Sequence, residues 1–375
     1  MFRSESCSPL TVPKAIQQST ERTFSEYQLP DCGISCQIIL NLQQEKKYFV
    51  RGVTCPGLGD FNSDGAFEKF PEPTCPGDSS LELSYTMYSA GSGRGIVFDR
   101  NSVPSNFNPD WKTLFVVHGW SNNADSSWMA VIKDRLLANY DANCVIVGWG
   151  GPGGAENLHY GESASTTRTV GAETAEVMMN LITNGGGDAG LMHCAGHSLG
   201  AHVCGHFGRW AAARGMKPDR CTGMDPAGPL FGPNTNRSVG LYKDCAQFVD
   251  IISTDWTAGS TPHPDEPALM LGHQNYFPND GHDQPGCPLS TCSHSIAHDY
   301  FLESIGNDCF VARESCTATN DLPVRDPGFV IVKSDEGSCS SCGRDCGLMG
   351  YGASRSNSDG IYRLETVADA PYCLG

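Results

Sequence analysis

Ser198 stands in Gly196-His197-Ser198-Leu199-Gly200, a G-x-S-x-G string. A serine hydroxyl is a weak nucleophile, so such a string does chemistry only where a sharp strand-to-helix turn exposes the oxygen and glycines permit close backbone approach. The N-terminus of the helix then faces the negative charge that develops on an attacked carbonyl. Two more residue types are required, a base to take the hydroxyl proton and an acid to orient the base. They follow in chain order: Asp225 in Gly223-Met224-Asp225-Pro226-Ala227-Gly228-Pro229, and His294 in Cys292-Ser293-His294-Ser295-Ile296-Ala297. The chemistry open to such a set is acyl transfer. In a chain with 43 glycines the five-residue string alone is weak, and the order serine, acid, histidine gives it weight.

Other reactive residues have plainer readings. His202 and His206 share the i, i+4 spacing of helical zinc ligands, but no glutamate follows His202, and both read as packing or surface residues of the helix behind Ser198. Cys194 and Cys204 flank the same turn and read as buried or paired. Cys339-x2-Cys342-x3-Cys346 has half of a zinc pattern and lacks the other half.

The elements that must carry these residues can be read from about residue 80 onward, where short β-branched runs alternate with helical periods. A strand at 113–117 precedes a helix whose Trp128, Ile132 and Leu136 recur at i, i+4, i+8 and face the sheet. A strand at 144–147 leads through a Gly/Pro loop to a helix over 166–181, with Val170, Thr174 and Val177 on one side. A third strand, 191–195, runs straight into the serine string and a helix reaching about Ala213, and another strand follows at 247–252. The pattern predicts an α/β protein with a mostly parallel central sheet flanked by helices.

The composition bounds the rest. With 375 residues, 39% apolar and 18% charged, the chain has ample material for a core. No apolar run approaches the roughly 18–20 residues of a membrane span, so no transmembrane segment is expected. The net charge of -17 and the lack of a Lys/Arg stripe exclude nucleic acid as a partner and favour neutral or zwitterionic lipid over anionic surfaces. Eighteen cysteines point to disulfide staples and an oxidising, extracellular setting. Asn236-Arg237-Ser238 is a glycosylation sequon, whereas Met1 to Cys7 lacks the apolar core of a signal peptide. Residues 1 to about 78 are rich in Cys, Pro and Gly, with one strand-like run at Ile38-Ile39-Leu40.

Several strings taken together resemble the pancreatic lipase family: Leu114-Phe115-Val116-Val117-His118-Gly119-Trp120, Gly196 to His202, Asp225-Pro226-Ala227-Gly228-Pro229, Phe248-Val249-Asp250, Gln284-Pro285-Gly286-Cys287, Cys292-Ser293-His294, and a tail from Met349 to Cys373. The resemblance implies an α/β-hydrolase catalytic domain over 52–375 after a Cys-containing extension over 1–51. It implies a secreted serine hydrolase of lipid carboxylic esters, with Ser198 as nucleophile, His294 as base then acid, and Asp225 as the orienting acid. His294, not His298 four residues on, directly follows the matching Cys292-Ser293. The oxyanion hole would be the backbone N–H groups of Leu199 and Trp120.

The departures from that family set finer expectations. Its lid lies between two cysteines before the histidine, and here Cys287 and Cys292 enclose only Pro288, Leu289, Ser290 and Thr291. So short a lid resembles phospholipase A1 and lipase-related galactolipases, which makes the sn-1 ester of a phospholipid the leading substrate. The loop from Trp256 to Leu271 has the long form of the triglyceride lipases, which makes triacylglycerol or galactolipid the alternative substrate. Yolk-type relatives keep the fold as non-catalytic lipid-binding or storage proteins but have lost catalytic residues, all three of which are present here. No cofactor is required, and the family's calcium stretch corresponds to Asn234 through Asp244, whose sparse acids would bind calcium weakly. The C-terminal β-sandwich that binds colipase has no counterpart before Gly375, so colipase is not expected.

Overall fold

The computed structural model describes residues 52–232, 235–257, 270–314, 346–357 and 359–373. The chain divides into two units, Met1–Phe49 and Val50–Gly375, and the described residues all belong to the second. The extension 1–51, with Cys7, Cys32, Cys36 and the run at 38–40, lies outside them, as do most of the 256–271 loop, Asn234, Cys339 and Cys342.

A hairpin of β1 (Gly52–Cys55) and β2 (Gly59–Asn62) opens the described chain. The main sheet takes β3 (Glu82–Ser89), β4 (Ile96–Phe98), β5 (Lys112–Val117), β6 (Ala142–Gly150), β7 (Met192–His197), β8 (Arg220–Met224), β9 (Phe248–Ile252), β10 (Gln274–Pro278), β11 (Val311–Glu314), β12 (Cys346–Leu348) and β13 (Gly360–Leu364). Their order across it is β12-β11-β13-β10-β9-β8-β7-β5-β6-β3-β4. From β6 to β13 every neighbour is parallel, and the antiparallel pairs are confined to the two margins.

Among the described residues four helices cover the sheet, α1 (Ser127–Asn139), α2 (Tyr160–Thr183), α3 (Leu199–Ala212) and α4 (Ser290–Glu303). Alternation along β5 sends Phe115 and Val117 into one core with Val170 and Val177 of α2 and Val203 and Phe207 of α3. Leu114 and Val116 enter the opposite core with Met129, Ile132 and Leu136 of α1 and Ile296, Tyr300 and Phe301 of α4. Layers on both faces explain why β6 and β7 are buried along their whole length and read as continuous apolar runs. This is the α/β-hydrolase fold, with Cys55–Cys75 stapling its N-terminal margin.

Two elements differ from the sequence reading. Helix α2 starts at Tyr160, well before Thr166, because its first turns bury hydroxyls instead of hydrocarbon. Thr169 Oγ1 donates to Thr74 O at 2.6 Å, Thr74 N donates to Thr166 Oγ1 at 3.1 Å, and Ser165 Oγ donates to Pro71 O, so these turns tie down the 71–74 strap. In α1 the buried stripe is Met129, Ile132 and Leu136, and Trp128 stands half-buried beside it.

One polar network crosses the sheet interior. Arg220 of β8 donates from Nε to Asp250 Oδ1 at 2.7 Å and from Nη2 to Asp250 Oδ2 at 2.8 Å. Its remaining donors reach Tyr351 O at 2.8 Å and Gly350 O at 2.6 Å, and Thr222 Oγ1 donates to Asp250 Oδ1 at 2.8 Å. The pair fastens β8, β9 and the turn after β12 together at the end of the sheet away from Ser198.

Candidate active site

Strand β7 ends at His197 and α3 begins at Leu199, so the reversal between them falls on Ser198. Its φ of 56° and ψ of -122° lie where non-glycine residues rarely sit, and the flanking strand and helix hold it there. A Cβ at Gly196 would stand 2.1 Å from Gly200 O, so the elbow closes only with glycine. Ser198 N donates to Met224 O at 3.0 Å, which sets the serine beside the end of β8 and therefore beside Asp225.

Asp225 has no solvent exposure, and both of its carboxylate oxygens are engaged. Oδ1 accepts from the backbone N–H groups of Thr254 at 3.0 Å and Asp255 at 3.1 Å. Oδ2 accepts from His294 Nδ1 at 2.6 Å, which fixes the tautomer with Nε2 as the proton acceptor. Burial pushes the Asp225 carboxyl above the ordinary aspartate value, against the pull of His294 and of the two N–H groups. Burial also pushes the His294 imidazole down, but the hydrogen bond and charge of Asp225, with Asp255 adding to them, carry it above 6.5.

No hydrogen bond joins Ser198 Oγ to His294 in this structure. The connection runs through His197, whose Nε2–H donates to His294 O at 3.0 Å and whose ring centroid lies 4.7 Å from that of His294. Catalytic hydrogen bonds are commonly long before substrate arrives, so the gap is compatible with a nucleophile and base pair.

A Cβ at Gly119 would stand 2.6 Å from Ser198 Cβ, so the Gly119-Trp120 turn lies against the serine. Among the described residues, neither Trp120 N nor Leu199 N has an acceptor within the chain. His118 locks that turn: its Nδ1–H donates to Gly119 O at 3.0 Å and its Nε2 accepts from Trp149 N at 3.0 Å. Trp149 Nε1 in turn donates to His118 O at 2.8 Å. Burial lowers the His118 pKa to about 4, which keeps the ring neutral and able to accept.

Trp120, Leu158 and Leu289 are exposed by 37%, 91% and 67%, large values for apolar side chains. Trp120 Nε1 donates to Asn157 O at 2.8 Å, and its ring meets Tyr160 edge-on at 5.4 Å. Cys287 and Cys292 are bonded, and Ser290 and Thr291 between them already belong to α4, so the segment forms the start of a helix. Ser290 Oγ donates to Asp255 Oδ2, which fastens this start to the backbone that cradles Asp225.

The remaining residues singled out by the sequence lie apart from Asp225. His298 donates from Nδ1 to Asp299 at 3.0 Å and stacks on Trp128 with centroids 4.8 Å apart. His202 is buried, donating from Nε2 to Ala227 O at 2.8 Å and accepting on Nδ1 from Leu241 N at 3.1 Å, and His206 is half-buried on the same helix. Cys194 and Cys204 are paired. Among the described residues no group of three or more His, Cys, Asp or Glu could hold a metal. In the calcium-like stretch both Asp244 oxygens accept from Arg209 Nε at 3.1 Å, so the described residues do not fit the six to eight oxygens calcium takes. No described helix is long and apolar enough to cross a membrane.

Sequence reasoning missed the Thr254-Asp255 cradle, the Ser290 tether and Trp128, whose ring meets that of His197 edge-on with centroids 6.0 Å apart. The cradle donates through backbone N–H groups, which leave no mark on residue type. Trp128 was hidden because an aromatic at helical spacing reads as core.

The family profile described as Lipase matches residues 97–372. The chain is 33% identical over 261 residues to the pancreatic triacylglycerol lipase of Myocastor coypus, covering 64% of this chain and 55% of that one. It is 29% identical over 326 residues to the pancreatic triacylglycerol lipase of Oryctolagus cuniculus, covering 80% and 66%. To the pancreatic lipase-related protein 2 of Cavia porcellus it is 35% identical over 210 residues, covering 54% and 45%. The aligned region thus spans about half to two-thirds of these relatives.

Proposed function

The chain belongs to the lipase family, and from that premise we propose that it hydrolyses carboxylic esters of lipids, with phospholipid sn-1 esters as its substrate, in an extracellular setting. The observation that carries the reading is the 2.6 Å bond between His294 and the wholly buried Asp225, next to a serine held at positive φ. Ser198 Oγ attacks the ester carbonyl while His294 Nε2 takes its proton, and Asp225 steadies the imidazolium that forms. The oxyanion enters the space before the N–H groups of Leu199 and Trp120, each such donor being worth roughly 2.7–4 kcal/mol in the transition state. His294 then gives its proton to the departing alcohol, leaving an acyl-serine. A water molecule, deprotonated by the same imidazole, releases the acid.

The choice of phospholipid rests on the disulfide-closed segment at Cys287–Cys292. A cleft without a cover admits a polar head group and needs no opening step. The four disulfides of the described region support the extracellular setting. A second reading, triacylglycerol hydrolysis, draws on the names of the coypu and rabbit relatives.

The test is acid release from phosphatidylcholine vesicles, galactolipid dispersions and triolein emulsions by the protein and by Ser198→Ala, with the position of the freed acyl group assigned. Serine-dependent sn-1 release from phosphatidylcholine is the expected result. Release from triolein alone would replace it with the second reading, and no release from any ester would leave a lipid-binding protein.

A further inference from the structure

Among the cysteines whose side chains are described, Cys144, Cys221 and Cys245 stand outside the disulfides, all buried. Two of them meet. Cys221 is the second residue of β8, opposite Cys194 of β7, and its thiol donates to Cys204 O at 3.6 Å, so it points at α3 beside the Cys194–Cys204 bond. Cys245 reaches the same face of α3 from the turn before β9. A Cβ at Gly208 would stand 2.0 Å from Cys245 O and 2.9 Å from Cys245 Cβ, so the helix carries glycine where this turn lies directly on it. Cys204 and Gly208 are one turn apart on α3, so the two cysteines lie against the same turn of the helix.

We propose that Cys221 and Cys245 form a further disulfide of the mature protein, joining β8 to the turn before β9. A buried thiol pair offers little stability as thiols, since each is a weak donor. A bond between them removes conformational freedom from the unfolded chain. The position matters to the site, because β8 ends one residue before Asp225 and the bond would close the loop that runs from Asp225 through Pro226 to the Cys245 turn. In the reaction both thiols lose a proton and the pair gives up two electrons to a disulfide oxidant such as glutathione disulfide, which leaves as two thiols. One thiolate first attacks the oxidant and forms a mixed disulfide, and the second thiolate displaces the leaving thiol. A bond at this place also leaves Cys144, enclosed between the sheet and α1, as a buried thiol without a disulfide partner.

The whole chain, secreted through an oxidising compartment, is denatured in iodoacetamide without reductant, digested and analysed by mass spectrometry. A peptide pair joined through Cys221 and Cys245, with the Cys194–Cys204 pair intact and Cys144 alkylated, is the expected result. Two singly alkylated peptides at Cys221 and Cys245, or a bond from either residue to Cys194, Cys204 or another cysteine, would overturn the proposal. Cys245→Ser supplies the second reading. It is expected to add one alkylated thiol, at Cys221, and to lower the thermal midpoint more in the oxidised protein than in protein held in reductant. An equal fall under both conditions would overturn the proposal, because the residue would then contribute through packing alone.

Discussion

His197 and His294 are fastened to each other: the side chain of the residue before the proposed nucleophile donates a hydrogen bond to the main chain of the proposed base, 3.0 Å apart. Burial holds the His197 ring well below the ordinary histidine value, with the neighbouring His294 and His298 pushing the same way, so it remains neutral and keeps Nε2–H as a donor. Serine and base, carried by the β7–α3 turn and by α4, are therefore tied to each other by this bond.

His197→Phe keeps the ring and removes the donor. A lost hydrogen bond is worth about 1 kcal/mol, so kcat is expected to fall about fivefold with KM little changed. Steady-state kinetics on a soluble ester checks this, with the thermal midpoint monitored to exclude general unfolding.

Asp225→Asn leaves the shape of the acid but exchanges an acceptor for a donor toward His294 Nδ1. The imidazole would then favour the wrong tautomer, and kcat is expected to fall by about 10⁴. Retention of full activity would remove Asp225 from the site.

The acidic limb of the rate profile reports His294, which must be neutral to accept the serine proton. Its pKa lies above 6.5 through Asp225 and, secondarily, Asp255, so activity is expected to fall as pH drops through a value above the ordinary one. Asp255→Asn withdraws one negative charge from the neighbourhood and should move that limb to lower pH. A limb that stayed in place would show Asp255 to act only through its backbone N–H.

Asp250→Ala leaves the Arg220 guanidinium charged and buried without its partner. Breaking one side of such a pair costs about 3–5 kcal/mol, a large part of a domain's stability. Urea unfolding of the variant is expected to show a midpoint lowered accordingly, while kcat at low temperature stays near that of the parent, since the pair lies away from Ser198.

The parallel interior of the fold was legible because its strands are buried on two faces and announce themselves as apolar runs. The hydroxyl-lined start of α2 was not, because Ser165, Thr166 and Thr169 are buried for the sake of bonds to residues about 95 positions away, which no local period records. At the site, Ser198, Asp225 and His294 were named from type and order. Thr254, Asp255 and Ser290 act through main chain or a single hydroxyl, and their roles exist only once β9 and α4 have brought distant segments together.

Strand β13 lies between β10 and β11, although it follows both β11 and β12 in the chain. During synthesis β11 therefore appears before the strand that joins it to the sheet. Order of synthesis and order of assembly part company here. A nascent chain must carry this margin unattached to the sheet until Gly360–Leu364 arrives, with the Cys309–Cys373 bond formed later still.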